Sequence, residues 1–189
     1  GSHTIKAFAT KSGLTDANIT SATYNITYDG LPSVNFSPAG GSYTSDQSVT
    51  LSCSGHPSAT IYYTTDGSTP TTSSSVYSSP ISVTQGTTTI KAFATESGYN
   101  DSSVSQATYT IDYPNCATPT FSPASGTYTS TTTVTINCST SGATIYYTTD
   151  GTDPTTSSPS GSDGLQITLN SNGTYTIKAF AVKSGYDDS

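Results

Sequence analysis

The sequence contains no tryptophan, no methionine and no arginine, and only one glutamate, Glu96. Its five basic residues are lysines, Lys6, Lys11, Lys91, Lys178 and Lys183, scattered along 189 residues. No basic cluster therefore exists to neutralise phosphates, and nucleic acid is not an expected partner. No apolar run approaches the roughly 20 residues that a membrane-crossing helix needs, so membrane insertion is not expected either. The histidines are two, His3 and His56, and they have no metal-binding spacing. There is no G-x-S-x-G elbow and no phosphate-cradling glycine loop. A chain so poor in grouped titratable residues is expected to be neither an enzyme nor the holder of a cofactor.

Serine and threonine make up roughly two-fifths of the chain, and 14 tyrosines dominate its aromatic content. The net charge is -7 with charged residues at 9%. Chains of this kind are either disordered or built from thin β-sheets with hydroxyl-bearing outer faces. Alternation decides for sheets: in Ser48-Val49-Thr50-Leu51-Ser52-Cys53 every second residue is apolar, which puts Val49, Leu51 and Cys53 on one face.

The chain is also repetitive. Ile61-Tyr62-Tyr63-Thr64-Thr65-Asp66-Gly67 returns as Ile145-Tyr146-Tyr147-Thr148-Thr149-Asp150-Gly151, a period of about 85 residues. Thr4-Ile5-Lys6-Ala7-Phe8-Ala9 returns at Thr89–Ala94 and again at Thr176–Ala181. Three segments follow: residues 1–27, the closing strands of a truncated repeat; 28–113, a complete repeat; and 114–189, a repeat lacking its last strand. Gly1-Ser2-His3 reads equally well as a tag remnant and as native sequence, in register with Gly86-Thr87-Thr88. The linkers Thr27–Leu31 and Asp112–Cys116 are short, and Pro114 stiffens the second. About seven short strands per repeat, punctuated by turn signals such as Asp66-Gly67, predict an all-β chain of tandem immunoglobulin- or fibronectin III-like sandwiches.

Three segments in fixed order carry a family resemblance: Phe36-Ser37-Pro38, then Ala59–Thr71, then Thr89–Ala94 with Ser97-Gly98-Tyr99. Together they resemble the chitobiase/β-hexosaminidase C-terminal domain, a fibronectin III-like accessory repeat. The third copy repeats the signature from Phe121 to Tyr186, with Asp153 in place of Thr69. The resemblance implies a non-catalytic appendage of secreted bacterial glycoside hydrolases or cell-surface proteins, and transfers no ligand residues.

Individual residues offer few sites. His56, in Gly55-His56-Pro57, reads as a surface-loop residue. Asp66, Asp150 and Asp153 suit either turn capping or weak calcium binding, with capping the preferred reading. If Ile61, Tyr63 and Ile90 face the core, Tyr62 and Phe93 lie on an outer sheet face, and Tyr146 and Phe180 repeat the pair. That strip is either a polysaccharide-binding surface or simple cross-strand packing, the latter preferred. Of the cysteines, Cys116 and Cys138 fall nearly opposite one another if the segments flanking Ser125-Gly126 pair as strands. A disulfide between them is expected, with Cys53 left single; three reduced, buried cysteines are the alternative. Six Asn-x-Ser/Thr sequons are compatible with export.

The leading functional expectation is a structural spacer repeat of a large secreted or cell-surface bacterial protein, extracellular, its partners the neighbouring repeats of the same chain. One version is a window cut from a long, fibre-forming polypeptide; another is self-assembly by donation of the missing strand. Donation would duplicate the Thr-Ile-Lys-Ala-Phe strand and is the less favoured of the two. The alternative class is a carbohydrate-binding accessory module of a chitin-degrading enzyme.

Overall fold

The computed structural model describes residues 1–189 and contains strands, turns and no helix. Cα proximity divides the chain into two compact units. The first comprises Gly1–Gly40, Val49–Ile81 and Thr88–Thr108, and the second Gly41–Ser48, Ser82–Thr87 and Tyr109–Ser189.

The chain opens with an antiparallel pair, β1 (Ser2–Ala7) and β2 (Thr20–Asn25), matched from Ser2↔Asn25 to Ala7↔Thr20. Every residue of this hairpin is exposed. Eight strands follow: β3 (Val34–Ser37), β4 (Gly41–Tyr43), β5 (Gln47–Cys53), β6 (Thr60–Thr64), β7 (Ser75–Val76), β8 (Ile81–Val83), β9 (Gly86–Thr95) and β10 (Ser105–Ile111). They form a sheet in the order β4-β10-β9-β6-β7 and another in the order β3-β5-β8, the two layers of a β-sandwich. The last six strands, β11 (Thr120–Ser122), β12 (Thr132–Asn137), β13 (Thr144–Thr148), β14 (Ser160–Gly161), β15 (Leu165–Leu169) and β16 (Lys178–Val182), make two three-stranded sheets, β11-β12-β15 and β14-β13-β16.

Period-2 patterning builds these layers. In β5 the inward residues Val49, Leu51 and Cys53 are buried and Ser48, Thr50 and Ser52 exposed, as the alternation predicts. Ile61, Ile90, Ala92, Ala94, Tyr109 and Ile111 are buried likewise. In the second unit Cys116, Ile136, Cys138, Ala143, Ile145 and Ala181 form one buried cluster, with Tyr147, Leu165, Ile167 and Ile177 packed against it. Burying one Ile or Val side chain contributes about 1.5–3 kcal/mol. The Lys178–Asp153 ion pair, at 2.7 Å, is exposed to solvent, where such pairs contribute little, so apolar burial holds the fold.

The linkers are not loose. The Leu31 amide donates to the Asn100 carbonyl at 2.9 Å, and the Asn100 amide donates to the Asp29 carbonyl at 2.9 Å. The Asn100 side chain adds a bond to the Tyr28 carbonyl at 2.6 Å. One repeat later the Cys116 amide donates to the Asp187 carbonyl at 2.8 Å, and the Asp187 amide to the Pro114 carbonyl at 3.0 Å. Both pairings, Gly30↔Asn100 and Asn115↔Asp187, are parallel bridges. Ser37-Pro38 and Ser122-Pro123 are cis peptides at equivalent places.

Candidate functional site

The register of β6 against β9 sets Tyr62 opposite Phe93, and that of β13 against β16 sets Tyr146 opposite Phe180. Both pairs are stacked, each with ring centroids 5.5 Å apart and interplanar angles of 23° and 26°. The aromatic pairs expected from the sequence are thus brought together in both copies. They do not form an open strip: Phe93 is only 8% exposed, where an outer-face position was expected. Offset stacked rings cover part of one another. The half-buried Tyr62, Tyr146 and Phe180 remain reachable.

The Asp-Gly turns next to these tyrosines are built by side chains. Asp66 Oδ1 accepts from the Ser68 amide at 2.9 Å and from the Ser68 hydroxyl at 2.6 Å. Asp150 Oδ1 accepts from the Thr152 amide at 3.0 Å and from its hydroxyl at 2.6 Å. These bonds, the hydroxyl foremost, hold both carboxyls below the usual carboxylate range. Asp153 is held low by the hydrogen bond and charge of Lys178. Gly67 and Gly151 follow with φ of 78° and 85°, in the left-handed region that glycine enters without strain. No three His, Cys, Asp or Glu side chains gather where they could hold a metal ion, and Asp66, Asp150 and Asp153 all have protein partners.

His56 departs from expectation. It lies in a loop but is half-buried, with Nδ1 2.6 Å from Glu96 Oε2 and its ring edge-on to Tyr99 at 4.7 Å. The third repeat has Lys183 where Glu96 stands, and the Lys183 ammonium sits 4.3 Å from the Tyr186 ring centre. A His–acid pair in one repeat is replaced by a cation–π contact in the next, which marks both as ways of pinning the same tyrosine.

All three cysteines are buried free thiols, where a Cys116–Cys138 bond was expected. The strand register explains the difference. Thr120 lies opposite Asn137, so continuation of that ladder sets Cys138 opposite Pro119, and Cys116 shares its buried cluster without being its cross-strand partner. The Cys138 thiol instead donates to the Ala117 carbonyl at 3.3 Å. Burial raises the Cys53 and Cys116 thiols above their ordinary range, which keeps both protonated and poorly nucleophilic.

A cleft of about 750 Å³ opens in the second unit, with Phe121, Tyr128, Val134 and Ile177 among its walls.

Fold and turn chemistry together define a tandem β-sandwich module that carries a stacked aromatic pair in each copy. The family model for the chitobiase/β-hexosaminidase C-terminal domain matches residues 38–108 and 123–189, and the chain belongs to that family. It is a carbohydrate-related accessory domain, separate from the catalytic domain of such enzymes. A search of curated proteins returns no match.

Proposed function

We propose that residues 28–113 and 114–189 are spacing modules of a secreted or cell-surface bacterial protein that handles carbohydrate. The observation that carries this reading is the fastening of each linker to the tail of the repeat it leads into, through Leu31–Asn100 and Cys116–Asp187. A linker held by two backbone bonds transmits position, whereas a solvated five-residue tether lets its ends wander. Family membership supports the carbohydrate context, and such domains usually occur in secreted enzymes. Native-state hydrogen exchange is the test. The amides of Leu31, Asn100, Cys116 and Asp187 should be protected to nearly the degree of those in β5 and β12. Exchange at free-loop rates would remove the spacer reading.

A second reading, glycan binding, is favoured by one observation, the repetition of the stacked pair in both copies. Sugar rings pack against aromatic faces, and Tyr62 and Tyr146 carry the reachable rings. Y62A/Y146A should lose retention on insoluble chitin by at least about tenfold, equivalent to roughly 1.4 kcal/mol. Equal retention by wild type and variant, or none by either, would exclude the pair as a binding surface.

A further inference from the structure

The two stacked Tyr–Phe pairs stand in different surroundings. In the middle repeat Tyr62 lies opposite Phe93 on one side and opposite Val76 on the other, while Thr64 lies opposite Lys91. Residues directly opposite share a face, and residues two apart on a strand share it too. Val76, Tyr62, Phe93 and Lys91 therefore line one outer surface, turned away from the buried Ile61, Ala92 and Ala94. Lys91 is the diagonal neighbour of Tyr62, a separation of about 7–8 Å that a lysine side chain spans. Val76 is 53% exposed beside the ring. The last repeat keeps the register, with Tyr146↔Phe180 and Thr148↔Lys178, but sets the polar Ser160 opposite Tyr146.

The lysines differ more than the rings. Lys178 donates to Asp153 Oδ1 at 2.7 Å, and that carboxylate neutralises its charge. In the middle repeat Thr69 occupies the place of Asp153. The ion pairs of the chain are His56–Glu96 and Lys178–Asp153, so Lys91 has no carboxylate bound to it. Its charge reaches Asp66 through space, but Asp66 Oδ1 is already held by the Ser68 amide and hydroxyl. The half-buried Lys91 thus presents an unpaired ammonium at the edge of a stacked aromatic pair, with an exposed valine on the far side of the tyrosine.

We propose, building on the glycan-binding reading, that this face of the middle repeat binds a polysaccharide that carries carboxylates, a polyuronate, with a sugar ring on Tyr62 and its carboxylate on the Lys91 ammonium. The aromatic face takes the apolar side of the pyranose, and the ammonium makes a charge-assisted hydrogen bond to the carboxylate. Lys178 offers no second point of this kind, because Asp153 already accepts from it. The last repeat therefore presents Tyr146 to a neutral sugar but no cation to an acidic one. The chain's net charge of -7 opposes a polyanion at long range. At about 0.15 M salt the screening length is about 8 Å, so distant carboxylates are muted while the contact at Lys91 persists.

Equilibrium depletion of the 189-residue chain by immobilised polygalacturonate, or by the same polymer as its neutral methyl ester, tests the proposal at about 0.15 M salt. The uronate form should bind about two- to fivefold tighter than the ester, the range of a solvent-exposed ion pair. K91Q and T69D should each bring uronate affinity down to that for the ester, T69D by rebuilding the pair that Asp153 makes with Lys178. D153T, which releases Lys178, should raise uronate affinity and leave ester binding unchanged. Thr69 and Asp153 are both exposed, so these variants should keep the wild-type circular dichroism spectrum. Equal affinity for the two polymers, a uronate preference that survives K91Q and T69D, or polyglutamate bound as tightly as the uronate would each overturn the proposal. Chitin retention that depends on Tyr62 and Tyr146, without any advantage for the uronate, would remove the polyuronate and leave the glycan reading standing. Binding to none of these polysaccharides would remove both.

Discussion

Single hydroxyls and carboxylates stand where a larger protein would use more core. Ser102 is the clearest case: its amide donates to the Ala94 carbonyl at 3.0 Å and its hydroxyl accepts from the Ala94 amide at 2.8 Å. Ser189 repeats this on Ala181, with bonds of 3.0 Å and 2.9 Å. Each serine pairs one buried amide and one carbonyl of the neighbouring strand, and leaving a buried amide unpaired costs about 1–3 kcal/mol. The turn aspartates act at the same scale. Because the folded state holds Asp66 and Asp150 below the ordinary carboxylate pKa, they stabilise the fold above about pH 3.9, and that contribution disappears as the pH falls through their lower folded values. In thermal melts, the stability gap between wild type and D66N/D150N should be widest at neutral pH and should close in acid. A gap that is constant with pH would assign these carboxylates no role beyond their shape.

At the scale of strands and turns, most of the architecture was legible from short-range chemistry. The alternation in Ser48–Cys53 became β5 with its inward Val49, Leu51 and Cys53, and each Asp-Gly pair became a turn. The tyrosine–phenylalanine pairs were also legible, because period-2 geometry and the Thr-Ile-Lys-Ala-Phe repeat place them without knowledge of the third dimension. What failed depended on register and on packing between layers. Opposing Cys116 and Cys138 required a ladder shifted from the one that Thr120↔Asn137 establishes. The burial of Phe93 and the half-burial of His56 depend on neighbours distant in sequence, Tyr62 and Glu96, whose approach no local pattern encodes.

For the molecule as a whole, the feature of greatest consequence is the direction in which the first and last pieces of each repeat lie against one another. Gly30↔Asn100, Gly41–Tyr43 against Tyr109–Ile111, and Asn115↔Asp187 are all parallel. Parallel partners near opposite ends of a repeat are drawn past each other when the chain is put under tension, so their hydrogen bonds bear the load together instead of opening one at a time as in a hairpin. Strands paired this way within a repeat are therefore expected to resist pulling in shear. Single-molecule stretching of the middle repeat should give a rupture force well above that of unzipping β1 from β2. Equal forces for the two would deny the parallel pairing any mechanical role.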